Sequence, residues 1–441
     1  MASKNDILKF IEQNDVKFVR LQFTDILGRL KNIAITERQV ERALEEGIIF
    51  DASAIAGFSE VESSDMLLLP DINTFTIIPW RPQHGKVARF ICDIKNYDGT
   101  QFIGDPRYVL KKSVEKAEKL GYTFNVGPEC EFFLFHTDSE GRPTAKTHDY
   151  ASYCDLAPMD LGENCRREIC MVLEEMGFEI EALHHENAAG QHEIDFKYSD
   201  VLTAADRIMT FRMVVKTIAQ RNGLHATFMP KPIFNAFGSG MHINMSLSKE
   251  GKNLFNAGNG SMDISDVAKM FGAGILNHIN GITAVANPLV NSYKRFVPGF
   301  EAPVHIAWSH MNRSPLLRVP APKGEATRLE LRSPDSSCNP YLTLALVLEA
   351  GLDGLQKEMQ IPLPVDINTY SLTAEKEKEL GIQRLPSNLL LAIEEMKKDP
   401  YIKEVLGEHI YSKYIAAKEA EWAAYNNYVH QWEIDNYLTA F

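Results

Sequence analysis

Residues 184–195 read HHENAAGQHEID, so the dipeptide His-Glu occurs twice, at His185-Glu186 and His192-Glu193. A zinc-protease helix needs H-E-x-x-H, two histidines one turn apart, and neither copy has it. The two glutamates lie around Gly190, which predicts two strands and a turn. Alternate residues of a strand share a face. With that period, GPECEFFLF puts Glu129 and Glu131 together, away from Cys130 and Phe132. GSGMHINMSL puts His242, Asn244 and Ser246 opposite Met241, Ile243 and Met245, and ATRLELRS sets Arg328, Glu330 and Arg332 against Leu329 and Leu331. In the hairpin, Glu186 and Glu193 are expected to pair across the strands if the loop between them has four residues.

A single polar face is usually the solvated side of an antiparallel sheet. Like charges directly across a hairpin destabilise it, however, so two crowded glutamate pairs together point to a buried cation. Glu129, Glu131, Glu186, Glu193 and Glu330 with His242 make an oxygen-rich donor set suited to Mg²⁺ or Mn²⁺ rather than zinc. So many carboxylates suggest more than one ion, an arrangement common in phosphoryl chemistry. His184, His185 and His192 are read as packed or solvated residues, not ligands. Arg295, Arg313, Arg318, Arg328 and Arg332 crowd one stretch, and two of them flank Glu330, where a carboxylate or phosphate ligand is the natural reason. NRSPLLRVP places Arg313 and Arg318 as a phosphate clamp. No G-x-x-x-x-G-K-[ST] occurs, and GSGMHI and GAGILN lack a third glycine. If ATP binds, it must do so through metals and arginines. On these residues alone a bare metallophosphatase is the reading.

The elements that must carry these residues follow from pattern. RLQFTDILGRLKNIAI predicts two strands around Leu27-Gly28-Arg29, and TERQVERALEEG a helix from Thr36 to Gly47. GKVARFICDI predicts a strand, and Asp105-Pro106 starts a helix running to Gly121, so a domain boundary falls near residue 103. Helices are expected at 161–176, 201–222, 263–285 and 340–358, and strands around 127–136, 181–196, 240–248 and 326–332. From 387 the chain is mostly helical, and Tyr411, Tyr414, Trp422, Tyr425 and Trp432 form a packing or subunit-contact stripe. The 441 residues, 45% of them hydrophobic, suffice for two or three domains. A formal net charge of −13 argues against a nucleic-acid surface. No apolar run reaches membrane-spanning length, MASKNDILKF does not resemble a signal peptide, and six scattered cysteines without C-x-x-C suit a reducing cytoplasm.

GPECEFFLF, HHENAAGQHEID, GSGMHINMS, NSYKRFVPGFEAP, NRSPLLRVP and RLELRSPD, preceded by FTDILGRLKN, FDASAIAGF and PDINTFTIIPW, stand in the order found in glutamine synthetase. The chain resembles that family along essentially its whole length, in its bacterial type I alpha form. The resemblance implies an α+β fold: an N-terminal β-grasp domain (1–103) and a C-terminal catalytic domain (104–441) whose antiparallel strands form a funnel flanked by helices. It implies a cytoplasmic dodecamer of two stacked hexamer rings with shared active sites. The implied reaction is phosphorylation of the glutamate γ-carboxylate by ATP, then attack of ammonia on the acyl phosphate. Glu131, Glu186 and Glu193 would hold one metal, and Glu129, His242 and Glu330 the other. Arg295, Arg332 and the Gly238 backbone would bind glutamate, and Arg313 and Arg318 the ATP phosphates. Glu181, Phe196, Asn244, Ser246 and Arg328 would lie near the nucleotide. Asp51 of an adjacent subunit would deprotonate ammonium, with Ser53 and Tyr153 completing that pocket and Glu301 on a closing flap.

The chain departs from the family pattern at Ala52 and Ala54 in the latch FDASAIAGF, at Phe237 where Asn is common, and at Phe300 in PGF. Ser59 stands where the alpha form carries an arginine linked to glutamine feedback, so weaker feedback is expected, although Glu421 matches its counterpart. NTYSLTAEK lacks the surroundings of an adenylylation loop, so Tyr370 is not expected to be adenylylated. A γ-glutamyl-amine ligase using a polyamine or ethanolamine is the alternative enzyme. A synthetase-like regulatory protein, or a second role in binding a nitrogen-responsive transcriptional regulator, is the alternative from another class.

Overall fold

The computed structural model describes residues 3–58, 61, 64–81, 84–258, 263–321 and 324–441. The chain opens with α1 (Lys4–Gln13), started by a reciprocal capping box between Ser3 and Asp6. β1 (Val16–Thr24) and β2 (Leu30–Thr36) form the expected hairpin. The helix expected from Thr36 begins as a 3-10 turn and becomes α2 only over Val40–Glu46, ending on Gly47 at φ 76°. β3 (Ile48–Asp51), β4 (Asp65–Pro70), β5 (Thr76–Ile77) and β6 (Lys86–Asn96) follow. They complete a sheet in the order β2-β1-β6-β4-β3, with β5 also on β6 and the β1–β6 pair parallel. With α1 and α2 this is the β-grasp unit.

α3 (Pro106–Lys119) starts where Asp105 caps the Arg107 amide and Pro106 occupies the first turn. Then come β7 (Thr123–Thr137), β8 (Pro143–Thr147), α4 (Glu163–Glu175), the hairpin β9 (Ile180–His185) and β10 (Gln191–Phe196), and β11 (Ser199–Asp200). α5 (Val201–Arg221), β12 (Leu224–Thr227), β13 (Met241–Lys249), β14 (Lys252–Asn253) and α6 (Asp266–Ala286) lead to four short strands. These are β15 (His305–Ile306), β16 (Trp308–His310), β17 (Leu317–Val319) and β18 (Leu329–Leu331). α7 (Pro340–Gln356), α8 (Ala374–Leu380), β19 (Gln383–Arg384), α9 (Leu389–Lys398), α10 (Pro400–Asn426) and α11 (Gln431–Tyr437) close the chain. β18 is shorter than expected. A 3-10 turn at Gly324–Ala326 precedes it, and Pro334, which has no amide hydrogen, follows it. α10 kinks at Gly407 (φ 76°) and ends at Asn426, so the aromatic stripe is split between two helices: Tyr414 of α10 is buried while Trp432 of α11 is exposed.

The large sheet runs β16-β17-β18-β13-β7-β10-β9, antiparallel except for the β16–β17 pair. Its inner side chains Cys130, Phe132, Ile194, Met241, Ile243, Leu329 and Leu331 are fully buried, and Phe132 packs edge-on against Phe211 of α5. Behind them α6 and α7 touch backbone to backbone. A Cβ at Gly274 would lie 2.0 Å from the Ala350 carbonyl oxygen, so only glycine fits that crossing. No helix among the described residues is long and apolar enough to cross a membrane.

The two sheets are joined by polar contacts of long sequence range. Arg107 is buried among acids of both parts: Nη1 donates to Asp93 at 2.6 Å, Nη2 to Asp71 at 2.8 Å, and Nε to Asp206 of α5 at 3.0 Å. At the β1–β2 turn, Gly28 (φ 79°) comes so close to Asn339 that a Cβ would lie 2.9 Å from its Cα. Asn339 Nδ2 donates to the Asp25 carbonyl at 3.1 Å. Removing one partner of a buried ion pair leaves uncompensated charge, so Arg107→Met is expected to destabilise the chain by on the order of 3 kcal/mol. A thermal or denaturant midpoint matching the unaltered protein would contradict this.

Candidate active site

β7 is the spine of the site. Its register sets Glu131 directly opposite Glu193 of β10, and Glu129 opposite both Asp195 of β10 and His242 of β13. β13 in turn sets Asn244 opposite Glu330 of β18, which faces Arg318 of β17. Alternation brings these side chains onto one face, opposite the apolar residues that bury the sheet. The hairpin register differs from the expected one. His184 faces Glu193, and the Glu186 amide donates to the Gln191 carbonyl, so Glu186 lies diagonal to Glu193 rather than across from it. The turn spans 187–190, and Gly190 (φ 68°) closes it.

Each acid has a specific set of neighbours. Glu129 accepts from Asn244 Nδ2 at 2.8 Å and lies 3.1 Å from His242 Nδ1. Glu131 accepts from the Gly240 amide at 2.8 Å and Gln191 Nε2 at 3.0 Å. Glu330 is gripped by Arg318 Nη1 at 2.5 Å and Arg332 Nη1 at 2.6 Å. Glu186 lies 2.8 Å from His184 Nε2. Burial pushes the Glu131 carboxyl up to about 8, helped by the charge of Glu186. It pushes Asp195 up to about 7, helped by Glu129, and Glu193 well above its ordinary range, helped by Asp195. Burial would raise Glu129 too, but the hydrogen bond and charge of His242 hold it at about 2. Burial and the nearby Arg332 depress His242.

Ligand atoms of Glu129, His242 and Glu330 all lie within 4.8 Å of one another. Glu131, Glu186 and Glu193 are not drawn into such a group, because Glu131 turns to Gly240 and Gln191, and Glu186 to His184. Glu193 groups instead with His184 and Asp195. The donor set fits hard divalent cations: most donors are carboxylate oxygens, three of the acids are pushed toward protonation by crowding and burial, and Asp195 Oδ1 is buried without a hydrogen-bond partner.

These residues line a cavity of about 840 Å³, which also receives Tyr153, Phe237, Gly238, Arg295, Phe300, Glu301, Arg313, Arg318, Arg328 and Arg332. Arg295 is buried and donates to the Ser333 carbonyl at 2.7 Å and the Arg332 carbonyl at 3.1 Å. Gly238 accepts from Gln191 Nε2 at 3.2 Å, and a Cβ there would meet the Pro230 carbonyl oxygen at 2.4 Å. Arg328 Nε donates to Asn244 at 2.8 Å. Tyr153 meets the His184 ring edge-on at 5.3 Å, and Asn187 Nδ2 reaches Glu301 at 3.2 Å. Phe237 and Phe300 pack against each other at 5.7 Å on the rim. Tyr370 hydroxyl lies 3.5 Å from the Arg313 carbonyl.

Other predicted site residues lie outside this cavity. Asp51 is exposed at the end of β3, accepting from Ser53 Oγ at 2.6 Å and the Ser53 amide at 2.9 Å. Ser246 shares the face of His242 farther along β13, and Glu181 is exposed on β9. The Phe196 side chain is in the core between Phe178 and Phe211, which leaves only its backbone for a ligand. Glu421 takes the Val290 amide at 3.2 Å and Lys418 at 2.9 Å, and Ser59 lies outside the described residues. Asp195, Gln191 and Asn187, which are not among the residues expected at the site, also line the cavity, and so does His184, which reads from sequence as packed or solvated. The signal was present for three: Gln191 and Asp195 alternate with Glu193, and His184 with Glu186.

Two family descriptions match the chain: Glutamine synthetase, beta-Grasp domain, over residues 15–97, and Glutamine synthetase, catalytic domain, over 103–437. The curated Glutamine synthetase of Clostridium saccharobutylicum is 58% identical over 439 residues, covering 100% of this chain and 99% of that protein. The solved ADP complex of GmaS is 32% identical with a TM-score of 0.90, covering 98% of this chain and 99% of that one. The cryoEM structure of Plasmodium falciparum glutamine synthetase is 27% identical with a TM-score of 0.88, covering 99% of both chains.

A metal ligand must be deprotonated, so a cation held by Glu131 would displace its proton below about pH 8. Mn²⁺ affinity is therefore expected to rise from pH 6 to above pH 8, with proton release at pH 7 visible as a buffer-dependent heat in calorimetry. A pH-independent affinity with no released protons would refute this.

Proposed function

The chain belongs to the glutamine synthetase family, and we propose how its residues join ammonia to L-glutamate at the expense of ATP to give glutamine. The observation that carries this reading is one cavity holding the acid and arginine set described above, in a chain matching a curated glutamine synthetase over its full length. That match disfavours a larger-amine ligase or a purely regulatory protein. The domain division is taken as 1–103 and 104–441.

Glu129, His242 and Glu330 hold one divalent ion, and Glu131, Glu186 and Glu193 a second, with His184 and Asp195 beside it. Mg²⁺ or Mn²⁺ bound there, two or more ions per site, would neutralise charge on the ATP phosphates. Arg295, Arg332 and the Gly238 carbonyl orient glutamate. Arg313 and Arg318 lie on the phosphate side, with Asn244, Ser246, Arg328, Glu181 and the Phe196 backbone along the nucleotide. A γ-carboxylate oxygen of glutamate takes the terminal phosphoryl group and ADP leaves. Ammonia then forms the C–N bond and phosphate leaves. Ammonium is not a nucleophile, so Asp51 accepts its proton in a pocket completed by Ser53 and Tyr153. Ser53 holds the Asp51 carboxyl below its ordinary range, which keeps it an anion able to attract ammonium. Glu301, on the rim beside Asn187, closes the pocket against water.

Asp51 is absent from its own chain's cavity, which supports a site completed by a neighbouring subunit, in a dodecamer of two hexamer rings. A cytoplasmic setting agrees with six free cysteines, of which only Cys154 is exposed.

With ATP, Mg²⁺, glutamate and a panel of amines, phosphate release is expected with ammonia and with formation of glutamine. Release only with larger amines would overturn the reading. Asp51→Asn is expected to lower turnover by roughly 10²- to 10⁴-fold, the scale of a lost general base. Co-expressed with inactive Arg332→Ala chains it should regain part of the activity, because mixed assemblies contain some sites with both residues intact. No regain in verified mixed assemblies would refute the shared site.

A further inference from the structure

The repeated His-Glu dipeptide has a physical reason on the far side of the hairpin. In each copy the glutamate faces the cavity, so alternation sends the preceding histidine to the opposite face. His185 and His192 are direct partners across the hairpin, both fully buried, with rings 4.8 Å apart and edge-on. His185 Nδ1 lies 2.7 Å from the Glu186 carbonyl oxygen, and its Nε2 lies 3.0 Å from Asp149 Oδ1. Two acceptors facing both ring nitrogens require both to carry protons. The same Asp149 oxygen accepts from the Gly190 amide at 2.8 Å, so one carboxylate ties both ends of the turn that follows Glu186.

His192 is held from the other side. Arg166 Nη1 donates to its Nδ1 at 2.8 Å, and Asp160 fixes Arg166 through both oxygens, at 3.1 and 2.6 Å. The loop bearing Asp160 closes on the ring so tightly that a Cβ at Gly162 would lie 2.4 Å from His192 Cε1. Asp149, His185 and His192 also have the spacing of a cation site. Asp149 Oδ1 and three of the four ring nitrogens are already engaged by protein groups, and the Arg166 guanidinium bonded to one ring disfavours an added cation. The cluster is therefore a support rather than a ligand set.

We propose that Asp149, His185, His192, Arg166 and Asp160 form a rigid bracket behind the hairpin that sets the positions of the Glu186 and Glu193 carboxylates for divalent-cation binding. None of the five lines the cavity; they are positioning residues. The proposal rests on Glu186 and Glu193 as metal ligands. Groups that orient ligands from behind typically contribute 10- to 100-fold in metal affinity.

The test is Mn²⁺ titration of the metal-free full chain, with free Mn²⁺ read by its electron paramagnetic resonance signal. The near-isosteric Asp149→Asn and Asp160→Asn, together with His192→Phe, are expected to weaken Mn²⁺ binding by about 10-fold or more, on that same scale. His192→Asn, which keeps an acceptor near Nδ1, should largely restore it. His278→Phe is the control: it removes another buried histidine, held between Asp353 (3.0 Å) and Asp399 (2.6 Å), and should lower the thermal midpoint while leaving Mn²⁺ affinity unchanged. Unchanged Mn²⁺ affinity in folded Asp149→Asn and Asp160→Asn would overturn the bracket, as would equal weakening in His278→Phe. If the unaltered chain binds no Mn²⁺, the ligand assignment itself fails, and the bracket with it.

Discussion

Carboxylates forced onto one buried sheet face dominate this molecule. Two like charges 4 Å apart repel by about 4 kcal/mol at an effective dielectric constant of about 20. Glu129, Glu131, Glu193 and Asp195 face one another across the strand pair β7–β10, with Glu330 one strand beyond β13. The chain relieves this repulsion locally through Arg318 and Arg332 on Glu330, and His242 and Asn244 on Glu129. Glu131, Glu193 and Asp195 remain, pushed toward protonation. A site left with excess negative charge selects cations, and its rim of arginines then selects the anions those cations accompany.

The apolar side of the sheet makes that arrangement affordable. The apolar residues that alternate with site residues, Cys130, Phe132, Ile194, Met241, Ile243, Leu329 and Leu331, are fully buried, and Phe132 and Phe196 pack on Phe211 of α5. A one-residue slip of register would exchange these sets and place carboxylates in the helical layer. The direct α6–α7 contact at Gly274 keeps that layer thin and stiff behind the acids. Rigidity on that side lets the charged side hold a fixed geometry.

Period-two alternation carried most of the site into view from sequence, because strand faces are local properties. It found Glu129 with Glu131, His242 with Asn244, and Arg328 with Arg332. It did not supply the hairpin register, which depends on how the Glu186–Gly190 turn closes, and so it set Glu186 against Glu193. His184, beside His185, reads as packed or solvated until its partner strand is known. Asp195 joins the site only through its register against Glu129 of β7, which the sequence of β10 alone does not fix. Phe196 is expected near the nucleotide, and its ring has core partners from α5 and the segment before β9, contacts that no local pattern encodes. The roles assigned to individual site residues came from family resemblance rather than from spacing.

The seam at Gly28 and Arg107 has a consequence for how the chain is made. Asn339 reaches back 314 positions to the Asp25 carbonyl, and Arg107 reaches forward 99 positions to Asp206. During synthesis the β-grasp sheet emerges first, with Asp71 and Asp93 near Arg107 but with the surface around Gly28 uncovered. That surface stays open to water and to other nascent chains until α7 leaves the ribosome. The order of translation thus leaves an interval in which the surface around Gly28 lacks the partner its own chain later supplies.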